Sequence, residues 1–163
     1  MTGCASVPRT ERDAGEQTLS GRLAVQVEAA GDAPSRSMSA GFELSGRPDR
    51  GQLDLATPLG NVLAQARWSP RQVVLATPRG QTEYTDLDAL TRAVLGESLP
   101  VAAFFDWLHG RPWDGAPSQP ATGGIGFSQL GWTVDLIRFD DALVTARRDT
   151  VPPVTVRIKL DRP

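Results

Sequence analysis

The feature that most constrains this chain is a period-two alternation of apolar and polar residues that is broken once by helical spacing and then resumes. Leu23, Val25 and Val27 alternate with Ala24, Gln26 and Glu28. After a turn-rich stretch containing Gly31, Asp32 and Pro34, Met38, Ala40, Phe42 and Leu44 alternate with Ser39, Gly41 and Glu43. Alternation of this kind specifies strands with one buried and one wet face. Ser45 to Gly51 reads as a turn, Leu53 and Leu55 flank Asp54 in a short strand, and Val62, Ala64, Ala66 and Trp68 resume the pattern after Thr57-Pro58-Leu59-Gly60-Asn61. Val73 to Thr77 and Gln81 to Thr85 complete the first half. Hairpin following hairpin specifies an antiparallel meander.

The break lies at residues 86–110. Asp86 is placed to cap a helix whose apolar residues Leu87, Leu90, Val94 and Leu95 share one face, and Gly96 stands where a left-handed C-terminal residue is favoured. Pro100 suits the first turn of a second helix carrying Val101, Phe104, Phe105 and Leu108, closed by Gly110. Residues 111–124, rich in Pro and Gly, read as a loop. Strands return at Ile125–Gln129, Trp132–Phe139, Leu143–Ala146 and Val154–Leu160. The expected fold is mainly β within an α+β class: a curved, unclosed antiparallel barrel whose short helices cover or fill the concave side. A closed barrel and a two-sheet sandwich satisfy the same pattern.

Composition excludes several functions. Seventeen Lys+Arg against 19 Asp+Glu, with no long run of one sign, give no nucleic-acid footprint. One Cys and one His leave no internal disulfide and no multi-His metal site. No catalytic residue, metal or cofactor is expected. Thr122-Gly123-Gly124-Ile125-Gly126 lacks the Lys and Ser/Thr of a phosphate-binding loop. His109 lies three residues after Asp106, but no Gly-x-Ser-x-Gly elbow accompanies them, and His109 reads as a helix-end cation. Asp140-Asp141 reads as a turn, and Arg147-Arg148 as a solvated surface pair.

Met1-Thr2-Gly3-Cys4 resembles the end of a bacterial lipobox without the hydrophobic stretch that normally precedes it. Two readings stand: a lipid-bearing Cys4, or a chance Cys near the start of a cytoplasmic protein. Residues 1–20 are expected to form a lipobox-like Cys and a polar tether, and residues 21–163 a single domain.

In order along the chain, Ser20-Gly21-Arg22-Leu23-Ala24-Val25, Leu53-Asp54-Leu55-Ala56-Thr57-Pro58-Leu59-Gly60, Leu95-Gly96-Glu97-Ser98-Leu99-Pro100-Val101, Trp107-Leu108-His109-Gly110-Arg111-Pro112 and Gly126-Phe127-Ser128-Gln129-Leu130-Gly131-Trp132-Thr133-Val134 resemble the LolB family of bacterial outer-membrane lipoprotein receptors. The resemblance spans roughly Gly21 to Leu160. The stretch before Gly21 departs from the family, which often carries a helix there. The resemblance implies a monomeric protein on the periplasmic face of the outer membrane, lipid-anchored through Cys4. Its expected partners are a LolA-like periplasmic carrier, lipoprotein cargo and outer-membrane phospholipid. The bound ligand would be the cargo's acyl chains, enclosed in an apolar cavity without nucleotide or covalent chemistry. Pro58, Leu59 and Gly60 would form the membrane-insertion loop. From the residues alone, a hairpin leucine folded back on the sheet is the expected arrangement of Leu59, and the resemblance reverses that order. Candidates for the cavity lining are Val25, Met38, Phe42, Leu44, Leu90, Val94, Phe104, Phe105, Leu108, Trp132 and Leu136, most of which serve equally as plain core residues. The alternative function is an envelope-anchored structural or assembly lipoprotein that binds a protein partner on the same curved sheet. A small, empty interior would favour that alternative.

Overall fold

A computed structural model of the chain describes residues 17–162. Cys4 and most of the expected tether lie outside the described residues. The first half runs β1 (Gln17–Val27), β2 (Arg36–Arg47), β3 (Arg50–Ala56), β4 (Val62–Ser69), β5 (Gln72–Thr77) and β6 (Gly80–Tyr84). Two helices follow, α1 (Leu87–Leu95) and α2 (Val101–Trp107). The second half runs β7 (Ser118–Pro120), β8 (Gly126–Gln129), β9 (Trp132–Asp135), β10 (Leu143–Arg148) and β11 (Val154–Leu160). Among the described residues, the eleven strands form one antiparallel sheet in the order β6-β5-β4-β3-β2-β1-β11-β10-β9-β8-β7, so β1 and β11 join the two halves and β6 and β7 are its edges. The sheet is unclosed, the expected one of the three architectures that the alternation allowed.

The alternation sets the faces. Val25, Val27, Phe42, Leu44, Ala66, Trp68, Val73, Val134, Val144, Val154, Val156 and Ile158 are all buried on the concave side. Helix α2 fills that side: Trp107 and Phe105 are each 1% exposed, Phe105 meets Trp68 edge-on with ring centres 6.2 Å apart, and Trp107 meets Phe127 in the same way at 6.2 Å. Helix α1 is bounded by its caps. The Asp86 carboxylate accepts from the Ala89 amide at 2.7 Å, and Gly96, at φ +76°, donates its amide to the Arg92 carbonyl at 2.9 Å.

The structure departs from the sequence reading at identifiable points. The sheet starts at Gln17, so the last residues assigned to the tether are already paired with β2. Ser45 to Arg47 and Arg50 to Gly51 are strand, leaving only Pro48 and Asp49 as the turn. The glycines there serve close strand approach: a Cβ on Gly46 would fall 2.5 Å from the Arg50 carbonyl oxygen and 2.7 Å from the Gly51 Cα. Val62 was expected on the buried face. The β3–β4 register slips between Leu55 and Ala56, and beyond the slip Val62 is 57% exposed.

Strand β9 stops at Asp135, whose carboxylate accepts from the Ile137 amide at 2.8 Å and turns the chain into a 3-10 turn at Phe139–Asp141. Within the expected loop, Ser118–Pro120 pairs with β8 as an edge strand. No alternation marks so short a segment, and its proline is compatible only with an edge.

Candidate functional site: an apolar cavity and an exposed leucine at one end of the sheet

Between the concave face and the two helices lies a cavity of about 70 Å³. Its walls come from β1 and β2 (Val25, Met38, Phe42, Leu44), from β3 to β5 (Leu53, Leu55, Ala64, Ala66, Leu75), from α1 and its exit (Leu90, Val94, Leu95, Leu99), from α2 and its C-cap (Val101, Phe104, Leu108) and from β11 (Val156, Ile158). Among the described residues, Thr91 is the one lining residue with a polar side chain. Its hydroxyl lies 3.0 Å from the Leu87 carbonyl, to which it donates, and accepts from the Leu99 amide at 3.0 Å, so it offers the interior no unpaired group.

Of the residues expected to line such a cavity, Val25, Met38, Phe42, Leu44, Leu90, Val94, Phe104 and Leu108 do so. Phe105, Trp132 and Leu136 do not. Phe105 is one helical step round from Phe104 and packs against Trp68. Trp132 belongs to the other half of the sheet, where the Arg148 guanidinium lies 5.5 Å from its ring centre. Leu136 follows the end of β9 and packs against the core edge, its amide bonded to the Ile125 carbonyl at 2.9 Å.

The 57–61 loop is held by its own hydrogen bonds. The Thr57 amide donates to the Asn61 carbonyl at 2.9 Å, the Gly60 amide to the Thr57 carbonyl at 2.9 Å, and the Asn61 amide to the Thr57 hydroxyl at 3.2 Å. This places Leu59 at the tip, 90% exposed, with Val62 and Leu63 behind it at 57% and 44%. The loop therefore does not fold back on the sheet. The order and antiparallel pairing of β1 to β3 put this loop at the same end of the sheet as Arg36, while Gln17 lies at the opposite end.

Several polar groups organise the walls without being announced by any motif. Gln129, 2% exposed, accepts from the Trp107 indole at 2.8 Å and the Trp113 amide at 2.9 Å, and donates to the Trp113 and Ala116 carbonyls at 2.6 and 2.7 Å. It thereby ties α2 to β8 and the 111–117 loop. Arg148 pairs with Glu97 at 2.6 Å, both side chains being largely buried, so Arg147-Arg148 is not a solvated pair. Arg147 alone faces solvent, its pKa raised by the hydrogen bond and charge of Asp149. His109 Nδ1 lies 2.7 Å from the Phe105 carbonyl and Asp106 binds Arg111 at 2.7 Å, so the two do not form a catalytic pair. Among the described residues, no group of three or more His, Cys, Asp or Glu is placed to hold a metal, and no helix is long and apolar enough to cross a membrane.

Residues 16–162 match the family described as "Outer membrane lipoprotein LolB". The chain is 34% identical to the outer-membrane lipoprotein LolB of Bordetella petrii over 176 residues, covering 100% of this chain and 87% of that protein. It is 32% identical to the LolB of Cupriavidus necator over 186 residues, covering 99% and 89% respectively. The chain belongs to the LolB family. LolB proteins are outer-membrane lipoproteins of lipoprotein localisation, and the family is not one of enzymes.

Proposed function

We propose that the protein receives lipoproteins from a LolA-like periplasmic carrier, shelters their acyl chains between the sheet and its two helices, and releases them into outer-membrane phospholipid through the Leu59 loop, with Cys4 as its own lipid anchor. The observation that carries this reading is Leu59, 90% exposed on a hydrogen-bonded loop at the end of the sheet away from Gln17. Exposure of a leucine forgoes ~1.5–3 kcal/mol of burial, which insertion of the loop tip into a bilayer would recover. Sequestering an acyl chain gains ~0.8 kcal/mol per CH2, so a graded series of affinities from carrier to receptor to membrane moves cargo without nucleotide.

At about 70 Å³ the resting cavity is smaller than the ~150 Å³ that admits benzene, so chains enter only as the covering helix moves. Helix α1 is the element suited to this. It has nine residues, capped ends and a half-exposed Val94, and a helix that short depends on packing rather than on its own propensity.

Gln17 lies at the end of β1 away from Leu59, and β1 has 11 residues, spanning about 36 Å. From Cys4 to Gln17 the chain reaches at most about 45 Å. An anchored molecule can therefore turn its Leu59 end to the membrane that holds the anchor.

The small resting cavity favours the alternative of a protein-binding envelope lipoprotein. Absence of co-purified acyl lipid, together with no binding of acyl probes, would decide for it. The direct test loads Leu59→Glu with lipoprotein from its carrier and offers liposomes. Expected are normal receipt and blocked delivery; normal delivery would sink the proposed role of the loop.

A further inference from the structure

We propose that Arg36 forms a polar lip to the cavity, donating hydrogen bonds to the ester or amide carbonyls at the head of an acyl ligand whose chain lies inside. This rests on the acyl-chain reading above. The inward-facing column of β2 runs Leu44, Phe42, Ala40, Met38, and the next residue on the same face is Arg36, paired across β1 with Val27, which is 3% exposed. Arg36 is itself exposed, so it stands at the solvent rim of this buried apolar column with its charge hydrated.

The ion pairs among the described residues involve other arginines, and among those residues no carboxylate lies within 4.0 Å of Arg36. Its guanidinium instead lies against Gly96 at the C-terminus of α1. A Cβ at Gly96 would fall 2.1 Å from Nη1 and 2.3 Å from Nη2. The glycine thus serves two ends: it adopts φ +76°, and it leaves room for the guanidinium beside the negative end of the helix dipole.

Arg36 also lines a groove of about 270 Å³ with Val25, Val27, Ser37, Met38, Val94 and Leu95. Val25, Met38, Val94 and Leu95 line the cavity as well, so groove and cavity adjoin through shared walls. The path from interior to solvent passes from an apolar lining to one cation, which is the layout of an acyl chain and its head. Chain burial is indifferent to head chemistry, whereas a carbonyl drawn from water at the mouth needs a donor, and a guanidinium offers five.

The test measures binding of methyl laurate, N-methyl lauramide, tridecane and lauroyl lysophosphatidylcholine to the full protein, by displacement of a fluorescent apolar dye. Arg36→Met is expected to weaken the ester and amide about tenfold, the scale of one charge-assisted hydrogen bond, and to leave tridecane unchanged. Arg36→Lys should restore part of the loss, and melting curves confirm that both variants are folded. Equal losses for tridecane and ester, no loss at all, or a loss confined to the phosphate-bearing lipid would overturn the proposal. A wild-type protein that bound none of the probes would overturn the acyl-chain reading and this inference together, whereas wild-type binding unaffected by Arg36→Met would remove this inference alone.

Discussion

Replacing Gln129 by Leu should destabilise the protein by about 2–4 kcal/mol, through hydrogen bonds rather than packing. The side chain is 2% exposed, and both of its amide atoms are fully engaged with Trp107, Trp113 and Ala116. Leucine leaves the Trp107 indole N–H without a partner in a residue that is 1% exposed, and an unpaired buried donor costs ~1–3 kcal/mol. The freed backbone groups of Trp113 and Ala116 lie in a half-buried loop where water reaches them, so each adds only ~0.5–1 kcal/mol, and the added apolar burial of leucine offsets part of the sum.

For a domain of this size each kcal/mol lowers Tm by ~2–4 °C, so thermal unfolding should show a fall of about 5–15 °C. The Trp107→Phe background provides the control. With the indole N–H already absent, Gln129→Leu should cost about 1 kcal/mol less, which a double-mutant cycle reads directly. A fall of less than about 2 °C, or the same fall in both backgrounds, would refute the assignment of this network. Because α2 and its C-cap carry Val101, Phe104 and Leu108 of the cavity wall, acyl-probe binding should weaken in parallel.

Three further outcomes follow from the same geometry. Thr91→Val removes the hydroxyl that accepts from the Leu99 amide and should lower stability by ~1–2 kcal/mol in chemical denaturation with an unchanged m-value. Ala66→Val fills space in the wall and should raise Tm while weakening acyl-probe binding, so a rise in both would count against the cavity as the binding site. Asp86→Ala deletes the N-terminal cap of α1 at a stability cost of about 1 kcal/mol and should speed acyl-probe entry if α1 is the moving cover, as stopped-flow fluorescence would show.

Much of the fold was legible because its elements are periodic. The columns Leu44-Phe42-Ala40-Met38 and Val154-Val156-Ile158-Leu160 alternate over enough residues to specify face and strand together, and Asp86 and Gly96 bracket α1 with complementary chemistry. Elements without a period were not legible: Ser118–Pro120 is a strand only because β8 lies beside it, and Trp132–Phe139 is cut short by a carboxylate-capped turn that composition does not distinguish from strand. Of the expected cavity residues, those on β1, β2 and the inward faces of the helices line it. Phe105 and Trp132 are as apolar as their neighbours, and only their direction in space separates them from it.

The sequence by itself determined the inward-facing columns of the long strands, both caps of α1, and that a Pro-Leu-Gly loop interrupts the meander, whereas α2 stops at Trp107, short of the Gly110 expected to close it. Those properties follow from local periodicity and capping, which act over a few residues. Only the tertiary structure decided that Leu59 stands clear of the sheet, that Gln129 ties α2 to a distant strand, and that Arg36 rests on the last turn of α1. Each of these depends on groups far apart in the chain brought together by the curvature of one sheet, and no local pattern encodes that distance.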